Sequence, residues 1–276
     1  METTEEIQIY DSSKQVSPAL EEFREIFRYR DLVIQVVRRD ILTRYKRSVL
    51  GVTWTMLNPL GTMLVLAIVF SQAFGTEFSY AAYVLNGLIA WNFFQQTTNA
   101  SIAHLVWGGT LLKRIYVPRT VFAFSALGTG LFNLILSLVP LLLVMVITGV
   151  PIEPTILFLP IPILFLGMFS LGVGLLVSGL AVFYTDIAEM YQIILTAWMY
   201  LTPIIYPEEI LPEQFRTLIA IFNPMYHLVR LFRAPLYYGE IPAFQETLIA
   251  GLIALVTLLI GWVVFTRRSD EFAYRI

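Results

Sequence analysis

The sequence predicts an all-α, polytopic membrane protein: six transmembrane helices, an amphipathic interface helix before them, and short re-entrant helices on the far side. Three observations predict it. The chain has too few charges to coat a water-facing surface, it contains six long stretches without any charge, and its lysines and arginines are unevenly distributed. Charged residues make up 14% of the chain and apolar ones 57%, against about 25% charged in a soluble domain. No Asp, Glu, Lys or Arg occurs in 48–76, 78–112, 120–152, 154–185, 190–207 or 247–266. A spanning helix needs about 20 mostly apolar residues. The spans are therefore expected near 52–74, 81–105, 121–149, 156–184, 188–206 and 247–266.

The basic residues orient these spans. Of 18 lysines and arginines, nine precede residue 48, three lie at Lys113, Arg114 and Arg119, and three follow residue 266. With six spans these regions share one side, and only Arg216, Arg230 and Arg233 fall on the other. The positive-inside rule then makes both termini cytoplasmic. The chain divides into a cytoplasmic region 1–47, a membrane domain 48–266 and a cytoplasmic tail 267–276. The acidic start, Met1-Glu2-Thr3-Thr4-Glu5-Glu6, lacks the apolar core of a signal peptide.

Before the first span, Ser17-Pro18 offers a capping hydroxyl followed by proline at the first helical position. Leu20, Phe23 and Phe27 recur at helical spacing among Glu21, Glu22, Arg24, Glu25 and Arg28, the pattern of a helix lying in the membrane interface. The basic segment that follows, with Arg38, Arg39 and Asp40, either anchors the topology or docks a soluble partner. The turn holding Tyr184, Asp186 and Glu189 is expected to be cytoplasmic yet has no basic residue. It is either a tight turn capped by Asp186 or a contact for a cytosolic protein.

Much chemistry is excluded. There are no cysteines and two histidines, His104 and His227, assigned to opposite sides. No HExxH or phosphate-binding GxxxxGK[ST] pattern occurs. A net charge of -2 argues against a nucleic-acid partner. The predicted spans hold none of the buried charges that proton-coupled carriers use as relays. What remains is a passive conduit or a subunit driven by a partner.

Two features point to a large polar cargo. The second span is polar toward one end, with Asn92, Gln95, Gln96, Thr97, Thr98, Asn99, Ser101 and His104. Such groups either line a hydrated path or bond to neighbouring helices. Aromatic residues gather in the first, second and fifth spans, among them Trp54, Tyr83, Trp91, Phe94 and Tyr200. Their faces suit the C–H faces of sugars, or they form headgroup belts; rings well inside a span, such as Trp91 and Phe94, suit lining better than those at span ends. The segment 207–246 is too apolar for a free linker. Interrupted by Pro212, Asn223-Pro224 and Pro235, it is expected to form two short helices near 214–222 and 225–234 that cap a pathway from outside.

Several motifs in order complete the picture: Arg38-Arg39-Asp40-Ile41-Leu42-Thr43-Arg44-Tyr45-Lys46-Arg47, then Trp54 and Asn58-Pro59-Leu60. Tyr184-Thr185-Asp186-Ile187, Thr202-Pro203-Ile204-Ile205-Tyr206-Pro207 and Asn223-Pro224-Met225 follow. This set resembles the permease subunits of type-two ABC exporters of polysaccharides. The resemblance implies a homodimer of six-span permeases in a bacterial inner membrane, joined by two copies of a cytosolic ATP-binding cassette subunit that carries ATP and Mg, so that this chain holds no cofactor of its own. The cargo it implies is a lipid-linked polysaccharide, O-antigen first, with teichoic acid, capsule or small hydrophobic drugs as alternatives. A partnerless channel or secondary carrier is the reading of another class.

On that resemblance Arg38, Arg39, Asp40, Tyr184, Asp186 and Glu189 couple to the ATPase, and Pro207, Phe215, Phe222 and Asn223 belong to the external gate. Trp54, Asn58, Tyr83, Trp91, Phe94, Gln95, Thr98 and Tyr200 are the candidates for channel lining.

Overall fold

The computed structural model describes residues 18–74, 79–106 and 117–274. Lys113, Arg114, the acidic start and the last two residues lie outside the described residues. Ten α-helices and no strand occur among the described residues: α1 (Pro18–Arg28), α2 (Arg30–Tyr45), α3 (Thr53–Phe74), α4 (Ser79–Val106), α5 (Thr120–Thr148), α6 (Pro160–Phe183), α7 (Asp186–Leu201), α8 (Glu213–Phe222), α9 (Pro224–Arg233) and α10 (Phe244–Arg268). In hydrocarbon every backbone N–H and C=O must be satisfied within the protein, which only helices or closed barrels achieve. The chain is thus an all-α polytopic membrane protein.

Local chemistry sets the ends. Gly149 closes α5 in a left-handed conformation, φ 74°, and returns its N–H to the carbonyls of Met145 and Val146. Proline opens α6 at Pro160 and α9 at Pro224, where its missing N–H leaves no helix bond unmade. The two short helices expected near 214–222 and 225–234 appear as α8 and α9, within one residue at each end.

Four helical segments are long and apolar enough to cross a bilayer: Thr53–Phe70, Thr120–Thr148, Pro154–Phe183 and Phe244–Arg268. Two of the six expected spans, α4 and α7, differ for separate physical reasons. α4 has 28 residues, about 42 Å at 1.5 Å per residue, and falls short in apolarity alone. α7 has 16 residues, about 24 Å, and falls short in length.

Packing explains how α4 is tolerated. It runs along both α5 and α6, touches α3 and α9, and has most of its side chains buried. α10 lies against α6 at a glycine crossing. A Cβ on Gly172 would sit 2.6 Å from the Thr257 carbonyl group, and one on Gly261 would strike the Gly172 carbonyl oxygen. Dispersion, rather than water exclusion, holds helices together in lipid, so close backbone approach is stabilising there. By contrast α3 stands almost bare: Leu64, Val65, Ile68 and Val69 are all exposed.

We expect Gly172→Ala to lower the thermal stability of the purified protein by about 1–3 kcal/mol through overpacking. Gly167→Ala, whose Cβ would meet only the Leu127 methyl at 3.6 Å, should be neutral. Equal melting temperatures for the two variants would refute the crossing.

Candidate functional site

Three clusters carry the polar and aromatic side chains, and α4 runs through all of them. At mid-length, Trp91 and Phe94 of α4 meet Trp198 of α7 and Phe169 of α6. The ring centroids lie 5.5 Å apart for Trp91–Phe94, 5.3 Å for Phe94–Trp198 and 5.4 Å for Phe94–Phe169. Several of the polar groups beside them are bonded within the protein, although the Thr97 hydroxyl and the Asn86 amide are buried without a partner among the described residues. Thr98 donates to the Phe94 carbonyl at 3.0 Å, and Ser101 to that of Thr97 at 2.9 Å. Asn133 Nδ2 donates to Gln96 at 3.1 Å, and Gln192 Nε2 to Asn99 at 2.6 Å. A polar stripe in an apolar chain is therefore largely interhelical and back-bonded hydrogen bonding.

At one end of α4 the chain after α7 turns back over it. Tyr80 donates to the Ile205 carbonyl at 2.6 Å and Tyr83 to that of Tyr206 at 3.1 Å. Arg233 of α9, only 4% exposed, stacks its guanidinium 3.6 Å from the Tyr83 ring centroid and donates to the Pro203 carbonyl at 3.1 Å. Gly87 makes room for it, since a Cβ there would lie 2.6 Å from Arg233 Nη2. Asn223 ties the same turn together. It accepts from Trp198 Nε1 at 2.8 Å and donates to the Leu201 carbonyl at 3.1 Å and to Thr202 Oγ1 at 3.0 Å. Around the rim, Tyr226 donates to Glu208 at 2.6 Å and Arg230 pairs with Glu246 at 2.9 Å.

At the other end of α4, His104 Nε2 lies 3.0 Å from Asp40 Oδ2, and its Nδ1 faces the Phe122 carbonyl at 3.3 Å. Arg39 pairs with the other carboxylate oxygen at 3.0 Å. Burial raises the Asp40 pKa, but His104 and Arg39 more than reverse it and hold the carboxyl below its ordinary value. Val37 packs against Gly128, while Tyr29, Leu32 and Val33 cover Val117, Val121 and Phe122. These contacts seat α2 on the start of α5. A concavity of about 770 Å³, lined by Arg38, Arg39, Leu42, Lys46 and Val52 among others, opens beside it.

A family model described as "ABC-2 type transporter" matches residues 31–237. The chain belongs to the ABC-2 type transporter family. The match takes in α2, from its second residue, through α9. An O-antigen export system permease protein of Myxococcus xanthus is 30% identical over 92% of this chain and 98% of its own length. One of Klebsiella pneumoniae is 23% identical over 88% and 94%. A polysialic acid transport protein of Escherichia coli is 26% identical over 84% and 91%. As a member of this family the chain is a multi-pass membrane transport subunit, and the family implies an ABC ATPase as its partner.

Within this ABC-2 subunit the residues singled out in the sequence fall into distinct settings. Trp91, Phe94, Thr98 and Tyr83 are buried inside the single chain. A ring deep in α4 is wrapped by neighbouring helices, Phe94 against Phe169 of α6 and Trp198 of α7. Trp54, Asn58 and Tyr200 lie exposed on α3 and α7, and Gln95 is half-buried. Phe215 and Phe222 are exposed on α8, Pro207 is half-buried, and Asn223 is buried. Arg38, Arg39, Tyr184, Asp186 and Glu189 are exposed. Glu189 borders a groove of about 340 Å³ with Asn99, Ala103 and Gln192.

Sequence reasoning missed Arg233 and the Asp40–His104 pair. By charge alone Arg233 reads as a topology marker, although it sits in a run of apolar residues, Leu231-Phe232 before it and Pro235-Leu236 after it.

The aromatic face beneath Arg233 gives a graded test. Tyr83→Phe keeps the ring and loses one hydrogen bond, a cost of about 1 kcal/mol. Tyr83→Leu leaves a buried guanidinium without its π face and should cost about 2–4 kcal/mol. Thermal unfolding in detergent should rank wild type, Y83F and Y83L in that order; indistinguishable Y83F and Y83L would refute the stacking.

Proposed function

We propose that this chain is the permease of an ATP-driven exporter that moves a lipid-linked polysaccharide, O-antigen first and capsule or teichoic acid next, across a bacterial inner membrane. Two copies stand side by side. Each carries six spans, with α4 and α7 completing the four apolar ones, and has both termini in the cytoplasm, the membrane domain running from 48 to 266. Each pairs with one ATP-binding cassette subunit on a separate chain, which holds the ATP and Mg.

One observation carries this reading: the faces left open on α3 and α7. They present the Trp54 and Tyr200 rings and the Asn58 side chain beside exposed Val65, Ile193 and Leu201. Lipid alone does not call for an exposed amide and a phenol hydroxyl at these positions. An apolar strip that meets a second copy, next to aromatic and hydroxyl groups that meet sugar, accounts for both kinds of residue. The full-length similarity to O-antigen and polysialic acid transport proteins supports the same cargo class.

The mechanism follows from where the cytoplasmic groups attach. The partner binds ATP more tightly in its closed state, and that difference in affinity supplies the driving energy. Its closure presses on the turn carrying Tyr184, Asp186 and Glu189 and on Arg38 and Arg39 of α2. The first contact moves α7 directly. The second reaches α4 through Asp40 and His104, and α5 through Val37 against Gly128. The α3 and α7 faces of the two copies part, and the exterior helices with Pro207, Phe215, Phe222 and Asn223 open the exit.

Charge reversal tests the coupling surface. Asp186→Lys combined with Glu189→Lys should cut copurification of the ATPase, or its stimulated hydrolysis, by about tenfold, which corresponds to about 1.4 kcal/mol, while membrane insertion stays normal. Unchanged association and export would remove the turn from the coupling surface. Along the path, Trp54→Ala and Tyr200→Ala should each lower export about fivefold, the loss of about 1 kcal/mol of ring contact. If both export at the wild-type rate, the open faces are not the polysaccharide path.

A further inference from the structure

The chain has two histidines, and they sit in different settings. His227 meets one acceptor, the Ala220 carbonyl at 2.7 Å from Nε2. A neutral ring with its proton on Nε2 satisfies that contact. His104, near the end of α4, meets two. Its Nδ1 faces the Phe122 carbonyl of α5 at 3.3 Å, and its Nε2 lies 3.0 Å from Asp40 Oδ2 of α2. A carbonyl and a carboxylate only accept, and only the charged imidazole donates from both nitrogens. Turning the ring over would put carbon at both positions, so the two contacts fix its orientation as well.

The second acceptor makes the charge matter. Asp40 Oδ2 is buried and takes no aligned hydrogen bond, so what holds the ring against it is charge. A neutral ring bonded to Phe122 through Nδ1 would turn a lone pair toward the carboxylate at the same distance. The other charged groups of the packed elements are engaged elsewhere or exposed. Arg39 pairs with Oδ1 of the same carboxylate at 3.0 Å, and Arg44, one turn further along α2, is exposed. Arg119 at the start of α5 donates to the Ser269 carbonyl and lies over the Phe272 ring. Glu22 of α1 accepts from Thr120, and Glu189 of α7 borders the Asn99–Ala103 side of α4.

We propose that Asp40 and His104 form a proton-operated clasp, which locks α2 to α4 and α5 while the His104 ring is charged and releases it when the ring gives up its proton. The contact is complete at low pH and is lost as pH rises through the range in which histidine discharges. Its acid limit is set by Asp40, whose carboxyl His104 and Arg39 hold below the ordinary value against the effect of burial. The apolar seat of α2, with Val37 against Gly128 and Val33 over Val121 and Phe122, carries no titratable group. Release therefore frees α2 from Arg38 onward and leaves its first half in place. On the transport reading, the clasp sets how firmly a push on Arg38 and Arg39 reaches α4. That consequence rests on the transport reading; the clasp itself does not.

Hydrogen–deuterium exchange of the full chain in nanodiscs, from about pH 5.5 to about pH 9, reads the clasp as local opening. After correction for the intrinsic pH dependence of amide exchange, protection of residues 38–45 should fall about tenfold across that range, the low end for a hydrogen bond to a charged group. Helix α6, which holds no ionisable side chain, should stay level. NMR of isotope-labelled histidine follows the ring nitrogens in the same sample, with His227→Gln assigning the two signals. Loss of the His104 ring proton and the fall in protection should share one midpoint. His104→Gln and Asp40→Asn should each remove the pH dependence and leave the low protection of the alkaline wild type. His104→Arg, charged throughout, should stay protected at the alkaline end.

Wild-type protection of 38–45 that does not change with pH would overturn the proposal, as would a midpoint apart from that of the His104 ring; neither result depends on a variant that folds. So would an H104Q protein that keeps the pH dependence. None of these readouts involves export or the ATPase, so the clasp can fail while the transport reading stands, and the reverse.

Discussion

A helix too polar for lipid has to be wrapped by its neighbours, and α4 imposes that condition on the whole bundle. Its asparagines, glutamines and threonines each need a partner where no water competes for them. α5 supplies Asn133 to Gln96, α7 supplies Gln192 to Asn99, and the helix's own carbonyls take the hydroxyls of Thr98 and Ser101. Once these bonds are made, α5 and α6 flank α4 and the ring cluster of Trp91, Phe94, Phe169 and Trp198 fills the remaining volume. α10 needs no such partners and attaches from outside, through the glycine crossing with α6.

The two ends of α4 bear on the transport reading as much as its middle does. Over about 42 Å it reaches from the turn held by Tyr80 and Tyr83 to the carboxylate held by His104. The turn after α7 and α2 are thus fastened to one rigid rod. Arg233 is the unusual element of the outer end: a cation with 4% of its surface exposed is costly unless its charge is answered. Here a ring face and backbone carbonyls answer it, with no acidic group in contact among the described residues, and Gly87 leaves the space. The ring stack and the carbonyl bonds fix α9 against the segment after α7.

The sequence was most legible where charge or proline acts as a boundary. Gaps without charge located α3, α5, α6 and α10, and Pro212 with Asn223-Pro224 located α8 and α9 to within a residue. Depth and facing were less legible. Trp91 and Phe94 carry the same composition signal whether they face a cavity or a neighbouring helix, and α4 has polar residues on every side, so no periodicity marks an inner face. Whether α4 and α7 both span was also hidden, because one lacks apolarity and the other lacks length. Arg233 and the Asp40–His104 pair join residues far apart in the chain, and single-residue chemistry gives no sign of them.

The contrast between core and periphery bears on which parts can move. Local opening is cheapest where few side chains are buried, and α4, α5 and α6 bury many while α3 buries little and α7 only Tyr191 and Leu195. α3 keeps its exposed apolar face beside α2, which is itself seated on α5, and α7 is reached directly from the acidic turn. On the proposed transport reading, a push on the Asp186 turn would meet a stiff block built on α4 with two less buried helices beside it. α3 is held by few buried side chains, whereas α7 keeps the Gln192–Asn99 bond to α4 and the Trp198–Asn223 bond to the residue that opens α9. A parting of two copies along α3 and α7 would therefore have to carry these bonds with it or break them, at a cost that hydrocarbon does not offset.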